Sequence, residues 1–266
     1  MENIANPAAD PMTLIGGMPL SHGTAEAAAS QSELTSFVPI TFIPRDESES
    51  FVVPASAHAL DGFREWALSE SFPERGKITF VAGELIFDMS PESVEEHSEV
   101  KTEFSRVLAA LVRERNLGRL HIDGVLITNK AAGVSNEPDA LFLSKETLKS
   151  GRLIFTPEKG RPQSSKEIVG TVDWVLEIVS PSSRRKDTEL LREAYFKAGI
   201  PEYWLADALG EDVDLQILVA GKDGYVAVDP RNDWLASPTF GCSFRLTRER
   251  DDDGFWQYTL HVQEKP

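Results

Sequence analysis

Two carboxylates stand in stretches that otherwise read as protein interior: Glu177 in VDWVLEIVSP and Asp139 in NEPDALFLS, thirty-eight residues earlier. An ionised carboxylate is costly to take out of water unless it is paired or coordinated. Strand alternation turns Val172, Trp174, Leu176 and Ile178 to one face and Asp173, Val175, Glu177 and Val179 to the other. Glu177 therefore projects among apolar neighbours. If Asp139 enters an adjacent strand and projects from the same face, the two carboxylates converge with a backbone carbonyl, a donor set for a hard cation such as Mg²⁺. Such an ion positions a water and stabilises charge on a phosphodiester. Competing readings are an ion pair of Glu177 with Arg184 or Arg185, and a turn-capping role for Asp139 after Pro138.

The elements that must position these groups can be read from periodicity. SAHALDGFREWALSE places Leu60, Phe63, Trp66 and Ala67 on one helical face. KITFVAGELIFDMS reads as a hairpin of Lys77 to Val81 and Glu84 to Met89 around Ala82-Gly83. HSEVKTEFSRVLAALVRERN is the best helix in the chain, with Val100, Phe104, Val107, Leu108 and Leu111 on one face and His97 near its start. Strands are expected at Leu120 to Thr128, Pro138 to Leu143, Val172 to Val179 and Glu202 to Ala206, with a short helix and a loop in the polar stretch after Leu143. A helix from about Thr188 to Ala198 takes Asp187 as its cap and Gly199 as its end. Hairpins at Asp214 to Val228 and Phe244 to Val262 complete a mixed α/β (α+β) domain. Residues 1 to 45, rich in Ala, Ser, Gly and Pro, are expected as a flexible tail, and residues 46 to 266 as the folded domain.

Composition narrows the chemistry. A net charge of −16 and a pI near 4.8 argue against binding nucleic acid through general surface charge. Residues 144 to 200 reverse that balance locally, with eleven Lys and Arg against eight Asp and Glu, so any DNA contact is expected there. The single cysteine, Cys242, excludes an internal disulfide and fits a reducing compartment. With no apolar run long enough to span a bilayer and no secretion signal, the expected location is the cytoplasm. No GxGxxG, HExxH or CxxC occurs, and ERDDDGF places Leu260 where a calcium loop needs a bidentate Glu, so it reads as a hairpin turn.

The order of motifs resembles the Uma-type family of restriction-endonuclease-like proteins, members of the PD-(D/E)XK nuclease superfamily. The matching residues are Pro138-Asp139, Asp173, Glu177 to Ser182, Arg184, Asp187, Tyr195 and Ala198 to Asp207, with Gly83-Glu84, the turn at Ser90 and His97 upstream. The resemblance covers roughly Phe63 to Asp207. It implies a mixed sheet flanked by helices, here with additional C-terminal hairpins, and a Mg²⁺- or Mn²⁺-dependent endonuclease acting on DNA, with Asp139 and Glu177 as metal ligands and Glu84 as a further acidic member. The superfamily's Lys two residues after the Glu is Val179 here, and a displaced alternative falls on Leu191. Lys186 is the preferred substitute, because an ammonium can hydrogen-bond a water, whereas Arg192 better suits a phosphate clamp. His97, Arg184, Arg185 and Arg192 are the candidate substrate contacts. Plainer readings are a satisfied helix-start histidine for His97 and a solvated turn for Arg184, Arg185 and Lys186. The alternative function is a catalytically inactive nuclease fold that binds or regulates. A homodimer is compatible with either.

Overall fold

The computed structural model describes residues 40–42 and 50–264. Its centre is β11 (Trp174–Ile178), the strand carrying Glu177, buried at every position. It lies inside a six-stranded sheet whose order is β14 (Tyr225–Ala227), β13 (Asp214–Ala220), β12 (Glu202–Asp207), β11, β8 (Ala140–Ser144) and β5 (Gly118–Ile122). β11 and β12 run parallel, so the chain must cross over between them. It does so through a π-helical turn, Lys186–Leu191, that continues into helix α4 (Arg192–Lys197).

Both faces of this sheet are covered, which is why β11 reads as an apolar run that Glu177 alone interrupts. On one face Trp174, Leu176 and Ile178 pack with Phe104 and Leu108 of helix α2 (Glu99–Glu114) and with Phe244 of a three-stranded C-terminal sheet. That sheet comprises β15 (Leu235–Ser237), β16 (Cys242–Arg250) and β17 (Trp256–Glu264). Buried Glu202 ties it down: one oxygen accepts from Trp204 Nε1 (2.5 Å) and Ser237 Oγ (2.7 Å), the other from the Thr239 amide (2.8 Å). On the opposite face Val175 and Val179 pack with Tyr195 of α4 and with Val81, Ile127 and Ile168. Val172 joins this second core, because it precedes the strand and escapes the alternation expected of it.

Val81, Ile127 and Ile168 belong to the second six-stranded sheet, ordered β4 (Glu84–Asp88), β3 (Lys77–Val81), β7 (Val134–Asn136), β6 (Leu126–Asn129), β10 (Arg161–Val169) and β9 (Ile154–Glu158). The β3–β4 hairpin is as expected, with Ala82 and Gly83 at φ of 53° and 80° in its turn. Its outer side is closed by helix α1 (Leu60–Ala67), whose Phe63 and Trp66 pack with Phe80. Arg64 of α1 reaches the fully buried Glu167 of β10 with two hydrogen bonds of 2.6 and 2.9 Å.

Three expectations change. The run from Leu120 to Thr128 is two strands in different sheets, because Asp123 (φ 54°) and Gly124 (φ 63°) turn the chain between β5 and β6. The polar stretch holds the short helix α3 (Lys145–Ser150), but the β9–β10 hairpin takes the place of the expected loop. Asp187 is not a helix cap: the cap is a reciprocal pair, with the Ser183 amide donating to Ser180 Oγ (3.1 Å) and the Ser180 amide to Ser183 Oγ (3.0 Å). Within the expected tail, Ile40–Phe42 forms strand β1, paired with β2 (Phe51–Val53); the rest of that expectation lies outside the described residues.

Candidate active site

Register brings the two carboxylates together. β8 and β11 are antiparallel with Ala140 opposite Leu176, so the next step places Asp139 opposite Glu177. Residues directly opposite in such a pair project from the same face with Cβ atoms about 5 Å apart. Leu141 and Val175, the preceding pair on that face, both enter the second core. The Ile178 amide donates to Asp139 Oδ2 at 2.7 Å, which fixes that carboxylate against β11. Both acids line a cavity of about 880 Å³, within the usual range for a small-molecule or substrate site.

Each carboxylate has its own surroundings. Glu177 Oε1 accepts from the Tyr195 hydroxyl (2.7 Å) and Asn136 Nδ2 (2.9 Å), and its Oε2 lies 3.7 Å from Lys186 Nζ. Burial pushes its pKa up to about 8, and the carboxylates of Asp187 and Asp139 add to the rise against the pull of Lys186. Lys186 is itself buried and sits 2.5 Å from Asp187 Oδ1; despite burial, Glu177 and Asp187 hold its ammonium above the ordinary lysine range. Burial also pushes up Asp139, but His97, Lys77 and Lys101 outweigh it and hold this acid well below the usual carboxylate range. Lys77 Nζ is 2.7 Å and Lys101 Nζ 3.3 Å from Asp139 Oδ1, and His97 Nε2 is 3.5 Å from Oδ2. Two neighbouring acids with pKa values driven apart are the arrangement that active sites use to separate roles.

Two π-helical turns deliver these groups, one at Val94–Ser98 carrying His97 and one at Lys186–Leu191. Such insertions widen a helix locally and recur at functional sites. Glu92, His97 and Asp139 present potential metal-ligand atoms that all lie within 4.8 Å of one another. His97 Nδ1 is buried and makes no hydrogen bond, although Glu92 Oε2 is 3.1 Å away. The donors fit a divalent cation: two of the three are hard carboxylate oxygens, and a positive charge reaching Glu177 as well would offset the cost of its buried carboxylate.

The cavity gathers Asp139, Glu177, Lys186 and His97 and leaves out the other sequence candidates. Glu84 lies at the turn end of β4, half exposed, 3.5 Å from Arg185. Asp88, four residues along the same strand, is the hairpin acid that lines the cavity. Arg184 pairs with Asp207 at 2.8 Å, and Arg192 donates to the Tyr225 carbonyl at 3.2 Å. The competing reading pairs Glu177 with Arg184 or Arg185; the cation 3.7 Å from Glu177 is Lys186. Sequence reasoning missed Lys77, Lys101 and Glu92. Lys101 was within its reach, being one helical turn (i, i+4) beyond His97.

The model of the family described as putative restriction endonuclease (Uma2) matches residues 60–249. The chain belongs to this family. No curated protein matches it. A crystal structure described as a putative nuclease belonging to DUF820, from Anabaena variabilis ATCC 29413, matches with a TM-score of 0.50 and 21% identity over 68% of this chain and 90% of that one. At that identity the likeness is one of fold, and it agrees with the mixed sheets and flanking helices of this Uma2 member. Among the described residues, no helix is long and apolar enough to cross a membrane.

Proposed function

We propose that this Uma2 protein is an endonuclease that hydrolyses DNA phosphodiester bonds with Mg²⁺ or Mn²⁺. The observation that carries the reading is the placement of Asp139 and Glu177 on one face of adjacent strands, in one cavity, with a buried ammonium 3.7 Å from Glu177. Asp139 and Glu177 would hold the cation, with Glu92 and His97 at the second edge of the site. A divalent cation there supplies Lewis acidity and neutralises charge on the scissile phosphate. The chain does the rest by preorganisation. Ile178 N–H orients Asp139, while Asn136 and Tyr195 orient Glu177. Lys186 stays protonated, so it serves as a hydrogen-bond donor toward a water beside Glu177 rather than as a base.

The test is nicking of supercoiled plasmid by purified protein with Mg²⁺ or Mn²⁺. Activity is expected in the wild type and is expected to fall at least about a hundredfold in Glu177→Gln, which keeps the shape and removes the charge. Cleavage that persists in Glu177→Gln overturns the assignment. A second reading, a nuclease fold retained for binding, is favoured by the tight pairing of Lys186 with Asp187 and by a fully buried Leu191 at the displaced lysine position. Cation-dependent DNA binding with no nicking in the wild type would decide for it.

A further inference from the structure

A phosphodiester approaching this cavity meets seven carboxylate side chains in its lining and no arginine; its lysines are Lys77 and Lys186. Lys186 is 6% exposed and enclosed by Glu177 and Asp187. Lys77 is different. It opens β3 at the cavity's edge, its side chain is 25% exposed, and its ammonium rests on Asp139 Oδ1 at 2.7 Å with Asp123 at 3.2 Å and Glu92 more distant at 3.8 Å. Lys101, 11% exposed, approaches the same oxygen from α2 at 3.3 Å and is held from behind by Glu92 (2.6 Å) and Asp123 (3.0 Å). Asp139 Oδ2 is occupied by the Ile178 amide. The oxygen that a cation would take is therefore the one the two ammoniums now cover.

We propose that Lys77 is the phosphate-binding residue of this site, resting on Asp139 until a divalent cation takes that oxygen and frees the ammonium for the DNA backbone. The inference rests on the reading of Asp139 and Glu177 as cation ligands. Lys101 keeps its partners Glu92 and Asp123 through the exchange and steadies Asp139 in the cation-free protein. Linkage then requires that the ammonium compete with the cation and that the cation raise affinity for phosphate.

Both effects are measurable without turnover. Ca²⁺ binding to the full chain is monitored by calorimetry, and affinity for a short DNA duplex by fluorescence anisotropy with and without Ca²⁺. In Lys77→Met, Ca²⁺ is expected to bind about fivefold tighter, the effect of removing one partly screened like charge beside the cation. The Ca²⁺-induced gain in DNA affinity is expected to shrink severalfold, to the part that the cation's own charge supplies. Lys77→Arg retains that gain, and Lys101→Met, with Lys77 intact, binds Ca²⁺ more tightly and retains it too. Circular dichroism of each variant confirms folding. Wild-type Ca²⁺ affinity in folded Lys77→Met, or an undiminished gain in DNA affinity, overturns the proposal. No Ca²⁺ binding by the wild-type protein would instead defeat the cation reading itself, and this inference with it.

Discussion

Glu177, a proposed cation ligand, is expected to be indispensable to the site and nearly neutral for folding. Burial pushes its pKa up to about 8, so without a cation the charged form is disfavoured and its amide isostere loses little. Glu177→Gln can still accept from Tyr195 and Asn136, and its stability is expected within about 1 kcal/mol of wild type. Glu177→Ala leaves the Tyr195 hydroxyl without its buried acceptor and the Asn136 amide with only the Tyr195 oxygen, and is expected to cost about 2 kcal/mol or more. Urea titrations of both variants check the contrast, and equal losses would contradict it. Glu177 was legible in the sequence because a charge interrupted an apolar strand. Tyr195 was read there as core, and it is buried, but a hydroxyl pointing at a carboxylate 18 positions earlier leaves no local trace.

At the scale of elements, the clamp between α1 and β10 is the clearest energetic test. Burial pushes Glu167 upward, but hydrogen bonds from Arg64 and Thr156 outweigh it and set its pKa below the ordinary 4.5. The clamp's contribution is therefore complete above the unfolded-state pKa and is lost as pH falls through the lower folded value. Arg64→Met leaves a buried carboxylate unpaired and is expected to cost about 3 kcal/mol at pH 7. The gap between variant and wild type should narrow below about pH 4, in denaturation curves taken across pH. A constant gap would show that the charge is not what matters. The Ser180–Ser183 cap gives a smaller effect: Ser180→Ala is expected to cost about 1 kcal/mol, read as a lowered urea midpoint. Elements with one period and one exposed face, such as α2 and the β3–β4 hairpin, were legible from sequence. The π-helical turns were not, because a single inserted residue shifts the helical phase without changing composition. β7 was missed for a different reason: three residues, Val134–Asn136, give alternation too little length to register.

For the whole molecule, a charge of −16 bears on the proposed binding of DNA. With Arg184, Arg185 and Arg192 outside the cavity, few cations remain to displace counterions from the duplex. The slope of log K against log salt is expected near about −1 to −2, since each phosphate contact contributes about −0.9. A slope several units steeper would mean that a broad basic surface elsewhere takes part. The fold class was readable from the order of helices and strands and from the family resemblance, whereas the two-layered arrangement of sheets was not. Asp123-Gly124 sends consecutive strands into different sheets, and only tertiary pairing reveals that.

The Glu202 knot has a consequence for anyone who would shorten or transplant this domain. The stretch shared with the family ends at residue 249, inside β16, so trimming to that boundary discards all of β17. Tyr258 and Leu260 would leave the core that holds Phe104, Trp204 and Phe244. Ser237 and Thr239 would remain bonded to a carboxylate whose covering sheet had lost its outer strand. The packed unit of this chain is therefore longer than the matched stretch, with β17 a wall of its core.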